Sequence, residues 1–422
     1  MRRLLEDSFR AAVAAADPLK ILGPHLPRPP RGRTLVAAAG KAAASMAAAV
    51  ERDWPQGAPL DGLAITRYRH ALPTSRIRVI EAGHPVPDQA GEAGAREIVQ
   101  RVGALTADDL LLALLSGGGS SLLSLPAEGI AMADLKAVTT QLLRCGAMIQ
   151  EINTVRKHLS SIQGGRLAAA CKAPVLALII SDVTGDDPTH IASGPCAPDP
   201  STFRDALDVL AKYGVAPPAA VRSRLENGAG GRVAETPKPG DAAFARVENR
   251  VVATAHRSLE AAAETFRGAG ITPVILGDTL TGEAAEAAKV LAALVREVRR
   301  YGSPFAPPVA LISGGECTVT LRGESGRGGR CSEFLLALGI ELEGVEGIHA
   351  IAADTDGIDG SEDNAGALLA PDTLARARAA GVDAVQRLAA NDSYRFFAAL
   401  GDLLLTGPTL TNVNDYRAIV IA

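Results

Sequence analysis

Ten short apolar runs, most of them free of polar alternation, are spaced along this chain by longer stretches rich in alanine and leucine. The runs are TLVAAA (34–39), GLAITR (62–67), RIRVIEA (76–82), DLLLALL (109–115) and PVLALIIS (174–181), then NRVVAT (249–254), TPVILG (272–277), PVALIS (308–313), GIHAIAA (347–353) and RAIVI (417–421). A strand that faces water on one side alternates apolar with polar residues. A strand covered on both faces does not, so these runs read as interior strands of largely parallel sheets. Alternation with helical stretches makes the chain an α/β protein. At 422 residues it is too long for one ordinary core, and two domains are expected.

The Gly-, Pro- and charge-rich segment ENGAGGRVAETPKPGDA (226–242) offers the natural boundary. It divides the chain into 1–240 and 246–422, with the last strand, near 415–422, free to return to the first sheet. ECTVTLRG (316–323) alternates and reads as an antiparallel hairpin arm after PVALIS. The opening residues, with Glu6 and Asp7 interrupting them early, read as an amphipathic helix and not a secretory signal.

Composition excludes several functions. Lys plus Arg is 43 against 47 Asp plus Glu, so there is no basic excess for a nucleic acid. Aromatics are 3% of residues, too few for base-stacking platforms. Five scattered cysteines without a CxxC pair suggest neither zinc nor a disulfide framework, and fit a reducing, cytoplasmic setting. No apolar run is long enough for a membrane-spanning helix.

The polar residues collect in a pattern. Gly40-Lys41 follows the first strand, GHPVPD (83–88) the third and SGGGSS (116–121) the fourth. DVTGDDPTHIASGP (182–195), GGE (314–316) and DTDGIDG (354–360) follow three later ones. Ligands of open parallel sheets bind outside the carboxyl ends of strands, so this shared edge reads as an active site. SGGGSS is either a plain turn or a cradle whose backbone N–H groups, from Gly117 to Ser121, hold an anion. Leu122 stands where a dinucleotide fingerprint needs its last glycine, and Leu35 and Ala42 break the P-loop pattern around Lys41. Asp182, Asp186, Asp187 and His190 lie within nine residues of one another; such carboxylates suit Mg²⁺ or turn capping. Arg327 and Arg330 sit on glycine-bearing backbone before a helix, and NTVRKHLS (153–160) carries Asn153, Arg156, Lys157 and His158, alternatively a solvated basic face.

Taken in order, GKAAASM, GHPVPD, SGGGSSLL, NTVRKHLS, SDVTGDDPTHIASGP, ISGGE, GRGGR, AADTDGIDG and TGPTLTNVND resemble the glycerate 2-kinase family, whose second half is called the MOFRL domain. Its members have often been labelled hydroxypyruvate reductases. The resemblance implies a Rossmann-like, mostly parallel first domain, a smaller MOFRL-type α/β domain and a site in the cleft between them. It implies transfer of phosphate from ATP, with Mg²⁺, to the 2-hydroxyl of D-glycerate. Lys41, Arg330 and Asp182 would be catalytic. Ser116, Gly117, Gly118, Gly119, Ser120 and Ser121 would hold the nucleotide phosphates. Arg156, His84, Arg327 and Asp354 would touch substrate, and Asp182 and Asp356 would hold metal. Cys331 stands where many members carry Asn. The alternatives are an NAD(P)H-dependent hydroxypyruvate reductase and a non-catalytic binder of small acids or nucleotide. The expected partners are ATP and the acid, with no nucleic acid or membrane and a homodimer left open.

Overall fold

The computed structural model describes residues 1–321 and 326–422. All ten expected strands form, and the chain divides into two compact units, Pro18–Val252 and Met1–Asp17 together with Ala253–Ala422.

The first unit is built on β1 (Thr34–Ala39), β2 (Leu60–Arg67), β3 (Ile77–Ala82), β4 (Leu110–Leu115), β5 (Val175–Ile180) and β6 (Val247–Ala253), in the sheet order β3-β2-β1-β4-β5-β6. β1 pairs in parallel with both β2 and β4, and β2–β3 and β4–β5 are parallel too. Every residue of β1, β4 and β5 is buried, which is why their sequences show no alternation. The chain winds from β1 outward to β3, then returns to β4 on the other side of β1. The strand order therefore reverses between β1 and β4, the switch point at which such sheets open a crevice. Register puts Ala39 beside Leu115, so Gly40-Lys41 and Ser116–Ser121 leave the sheet together. Four helices, Met132–Arg144, Ile149–His158, Phe203–Lys212 and Ala219–Ala229, contribute to a satellite core around Val155, Phe203 and Leu225.

The segment 226–242 is no linker. Pro237 O accepts from Asp199 N, Glu235 accepts from Phe203 N and from the His158 ring, and Thr236 is buried. Its composition is that of a boundary, but it docks on the same unit, and the chain changes sheets only after β6.

The second sheet joins β7 (Thr272–Gly277), β9 (Val309–Gly315), β11 (Ile348–Asp354), β12 (Gly366–Leu369), β13 (Leu403–Leu404) and β14 (Asp415–Ile421) in the order β13-β12-β11-β14-β9-β7. Only β7–β9 is parallel. The other pairs are antiparallel, so the expected mostly parallel sheet is that of the first unit, and the second is mixed. Full burial on both faces had erased the alternation that would have marked these strands as antiparallel. The terminal strand β14 does not return to the first sheet; it is wholly buried between β11 and β9. Cys317–Thr318 (β10) pairs in parallel with Gly282–Glu283 (β8), not as a hairpin arm after β9; the end of that expected arm, 322–323, lies outside the described residues.

The amphipathic helix Arg2–Ala14 belongs to this second unit. Its buried face, Leu5, Phe9 and Ala12, packs with Leu259, Phe266 and Tyr416, and the rings of Phe9 and Tyr416 lie 6.0 Å apart. On the opposite side of the sheet sit the helices Ala284–Tyr301 and Arg330–Leu342. Phe9→Ala should therefore cost about 3–5 kcal/mol. Limited proteolysis should show the 253–422 stretch losing protection while 18–252 keeps it.

Candidate active site

In the first unit three glycines at the strand exits answer three different needs. Gly118 adopts φ 79°, in the left-handed region, and a Cβ there would lie 2.8 Å from His84 Nε2 and 3.3 Å from Lys41 Cγ. At Gly119 a Cβ would come within 2.5 Å of the Ala192 Cβ. Gly40, at φ 131°, faces Ser116 so closely that a side chain would strike its Oγ at 2.1 Å. The loops after β1, β3, β4 and β5 thus meet with no room for side chains between them.

Not every expected donor is available. The amides of Gly119 and Ser121 are spent on Ser116 O and Gly118 O, inside the turn. Ser116 is fully buried, and its Oγ accepts from Ala42 N at 3.0 Å; it ties the two loops together and does not face a ligand. Ser121 Oγ donates to Gly118 O at 3.1 Å. Among the described residues, the amides of Gly117, Gly118 and Ser120 make no hydrogen bond. The cradle is narrower than SGGGSS suggests.

Its surroundings are positive. Burial, reinforced by Lys41 and Arg67, pulls the His84 imidazole down to about 3; burial likewise takes His70 down to about 4. Both rings are neutral at neutral pH, so charge there comes from lysine and arginine. Arg67 and His70 were not foreseen; Arg67 ends β2 and His70 lies just past it, where the sequence carries no glycine-rich signature.

Arg156 lies on the helix Ile149–His158, half-buried, and burial lowers its guanidinium to about 10, so it stays charged. Among the described residues it meets no carboxylate. Its Nη1 donates to Asn153 Oδ1 at 2.9 Å, Ser193 Oγ donates to the same oxygen at 3.1 Å, and Ser193 Oγ lies 2.8 Å from Ser120 Oγ. Arg156 is wired to the cradle through side chains from three loops and helices. Ala192 and Ser193 have φ 52° and 59°, a left-handed pair of non-glycine residues that costs of order 1–3 kcal/mol per residue and is typical of functional loops. By contrast Lys157 and His158 are buried, paired with Asp199 at 3.4 Å and Glu235 at 3.2 Å; the run is no solvated basic face. Asp182 is half-buried just past β5, where Asp187 caps its own loop by accepting from Thr189 N.

In the second unit Arg330, first residue of its helix, donates from Nε to Asp415 at 2.6 Å, from Nη2 to Asp354 at 2.8 Å and from Nη1 to Glu316 at 3.1 Å. Burial works against its charge, yet these three carboxylates hold its pKa well above the ordinary value. Asp415 is shared with the buried Arg417. Asp354 also accepts from Asp356 N, and Asp356 from Ile358 N at 2.8 Å. Asp359 fastens the helix: it accepts from Cys331 N, Ser332 N and Ser332 Oγ, while burial keeps its carboxyl up at about 6. Asp415, Glu316 and Asp359 were not singled out as site residues, although the words TNVND, ISGGE and DTDGIDG contain them.

Arg327 is exposed, its Nε bound to Glu362 at 2.9 Å and its guanidinium stacked 4.6 Å from the Tyr394 ring centroid. Cys331 is fully buried in the apolar core beside Phe334 and Leu335, where burial drives its thiol well above the usual range. The departure from Asn is thus a change of core packing.

A doubly wound parallel sheet with unspent backbone amides at its switch point, joined in sequence to a mixed sheet bearing a buried arginine–carboxylate hub, is the architecture of an α/β enzyme class. The family description DUF4147, a domain of unknown function, matches residues 4–226, and the MOFRL family matches 309–415. A Pyrococcus horikoshii glycerate 2-kinase is 42% identical over 93% of this chain and 87% of that protein. A relative in Agrobacterium vitis with a provisional hydroxypyruvate reductase name is 52% identical over 100% of this chain and 94% of its own length. A crystal structure of glycerate kinase from Thermotoga maritima superposes with a TM-score of 0.87 at 38% identity, covering 100% of this chain and 99% of the other. The chain belongs to the glycerate 2-kinase family.

The histidines set a pH dependence. The unfolded imidazole of His84 binds its proton near 6.5 and the folded one only near 3, so protons favour the unfolded chain between these values. The stability that depends on a neutral His84 is fully present above pH 6.5 and is lost as the pH drops toward 3. His84→Asn should flatten the part of this acid-side decline in melting temperature that His84 supplies.

Proposed function

We propose that this protein transfers the γ-phosphoryl group of ATP to the 2-hydroxyl of D-glycerate, giving 2-phosphoglycerate and ADP. The observation that carries the reading is the convergence at one switch point of three unspent amides, Lys41, and the carboxylate-free guanidinium of Arg156. Phosphoryl transfer needs positioning and charge neutralisation more than covalent chemistry. The amides of Gly117 and Gly118, with Lys41, would take the phosphoryl oxygens, and Arg156 matches the planar carboxylate of the acid. His84, neutral, would supply a hydrogen bond without adding charge.

Magnesium fits as part of the nucleotide. Among the described residues no group of three or more His, Cys, Asp or Glu side chains could hold a metal ion, and the donor set suits one carboxylate beside phosphate oxygens, a usual arrangement for Mg²⁺. Asp182 is the better candidate for that ligand or for accepting the hydroxyl proton. Asp354 is committed to Arg330 and to a backbone amide, which makes it a poor base, and Asp356 is engaged in its own turn. Arg330, with Asp354 and Asp415, would serve the same reaction as a charged hub of fixed geometry. Arg327, paired with Glu362, has the weaker claim to substrate.

The assay is purified protein with ATP, Mg²⁺ and D-glycerate, with the phosphorylated carbon identified by NMR, set against hydroxypyruvate with NADH or NADPH. Phosphorylation at the 2-position with no oxidation of the nicotinamide is the expected outcome; the reverse would overturn the reading. Lys41→Ala should lower kcat/KM by about 10²–10³ with the fold retained. Arg330→Lys is the informative variant at the second position, because Arg330→Ala would leave buried carboxylates unpaired, a loss of about 3–5 kcal/mol. It should lower kcat by at least tenfold while leaving the melting temperature within a few degrees.

A further inference from the structure

The hydrogen-bond string from Arg156 to Ser120 has only one consistent direction. Arginine is a donor at every nitrogen, so the Asn153 atom 2.9 Å from Arg156 Nη1 is the carbonyl oxygen and not the amide nitrogen. Ser193 Oγ, 3.1 Å from that same oxygen, must therefore donate to it. A hydroxyl carries one proton. With that proton spent, Ser193 can only accept from Ser120, whose Oγ lies 2.8 Å away. Ser120 is thus the donor in that contact and has lone pairs, but no proton, left for a ligand. The opposite direction would set the Ser193 and Asn153 oxygens face to face with no proton between them.

This polarity conflicts with the simplest role for Ser120, a donor to phosphate. Phosphate oxygens only accept, and two acceptors repel. A hydroxyl on the ligand, in contrast, can donate to Ser120. At the far end of the string Arg156 offers its guanidinium to an anion. One end accepts from a hydroxyl and the other binds a carboxylate, which is the pairing a short hydroxy acid presents.

We propose that Ser120 accepts a hydrogen bond from the 2-hydroxyl of the bound hydroxy acid before transfer, and that Asn153 and Ser193 are positioning residues that fix this polarity and hold Arg156 in register with it. The inference rests on the reading of the switch-point loops as the phosphotransfer site. It removes Ser120 from the expected phosphate ligands and makes it a determinant of substrate selection. Ser120 is half-buried and its own amide is unspent, so it borders the cradle without being sealed in the core.

The test is steady-state kinetics of the full-length Ser120→Ala protein, with inhibition by D-lactate and by propanoate, which lacks any hydroxyl. The expected result is a rise in KM for D-glycerate and in Ki for D-lactate of about five- to tenfold. KM for ATP and Ki for propanoate should stay within twofold of the unsubstituted protein. Ser193→Ala, which releases the Ser120 proton, should weaken D-lactate more than propanoate. It serves as the second variant if Ser120→Ala folds poorly. A rise in KM for ATP with glycerate unaffected overturns the proposal, whether Ser120 serves the phosphates or the ribose. Equal changes for lactate and propanoate, or no change at all, overturn it too. Lys41→Ala, run alongside, separates the two levels: full activity there defeats the site assignment itself, whereas its loss together with an ATP effect of Ser120→Ala defeats only this inference.

Discussion

The side-by-side exit of β1 and β4 is the constraint on which the first unit's chemistry depends. Parallel pairing with Ala39 beside Leu115 sends two loops out of the sheet at one point, and the reversal of winding there keeps crossover helices from covering it. The loops that follow β3 and β5 then close against the same point. Gly40, Gly118 and Gly119 are explained by proximity: each sits where Ser116, His84 or Ala192 occupies the space of a side chain. Among the described residues, what these loops present is a set of unspent amides and neutral imidazoles.

The two arginines most expected to matter are in opposite electrostatic states. Arg156 is charged without a carboxylate among the described residues, and only an amide oxygen holds it in place. Arg330 is balanced by three carboxylates, two of them deeply buried. An uncompensated guanidinium tied to these loops is suited to recruit an anion. A compensated one is suited to hold carboxylates in fixed positions, and its removal would harm the fold before it revealed anything about catalysis. The hub also binds the N-terminus of the helix Arg330–Leu342 to β11 and β14, with Asp359 as the fastener.

Relatives of this chain carry two kinds of name, kinase and reductase. The sequence after β4 bears on that division. Leu122, in the place of a dinucleotide fingerprint's last glycine, is fully buried in the core of the first unit. The helix there lasts only from Gly119 to Leu122, too short to present the aligned dipole on which a pyrophosphate sits in that motif. Cys331, a departure from the family pattern, is fully buried in the apolar core, where Asp415 and Arg330 of the hub still act on its thiol through charge.

The sequence by itself determined the strands, because burial on both faces is written locally in unbroken apolar runs, and it determined the loops that carry chemistry, because unusual Gly, Asp and Arg clusters at strand ends are also local. It could not determine strand partners. An apolar run reads alike in a parallel and an antiparallel sheet, so β14 and its neighbours were legible as strands but not as an antiparallel set. The segment 226–242 and the helix Arg2–Ala14 were misplaced for the same reason: composition records exposure and periodicity, whereas docking depends on residues hundreds of positions away, such as Tyr416 for Phe9. Within the site, residue type gave candidates and tertiary structure chose among them. Which serine amide is free, which arginine is paired and which hydroxyl keeps its proton are questions of distance, and only the folded chain brings Asn153, Ser193 and Ser120 close enough for one donor to decide the next.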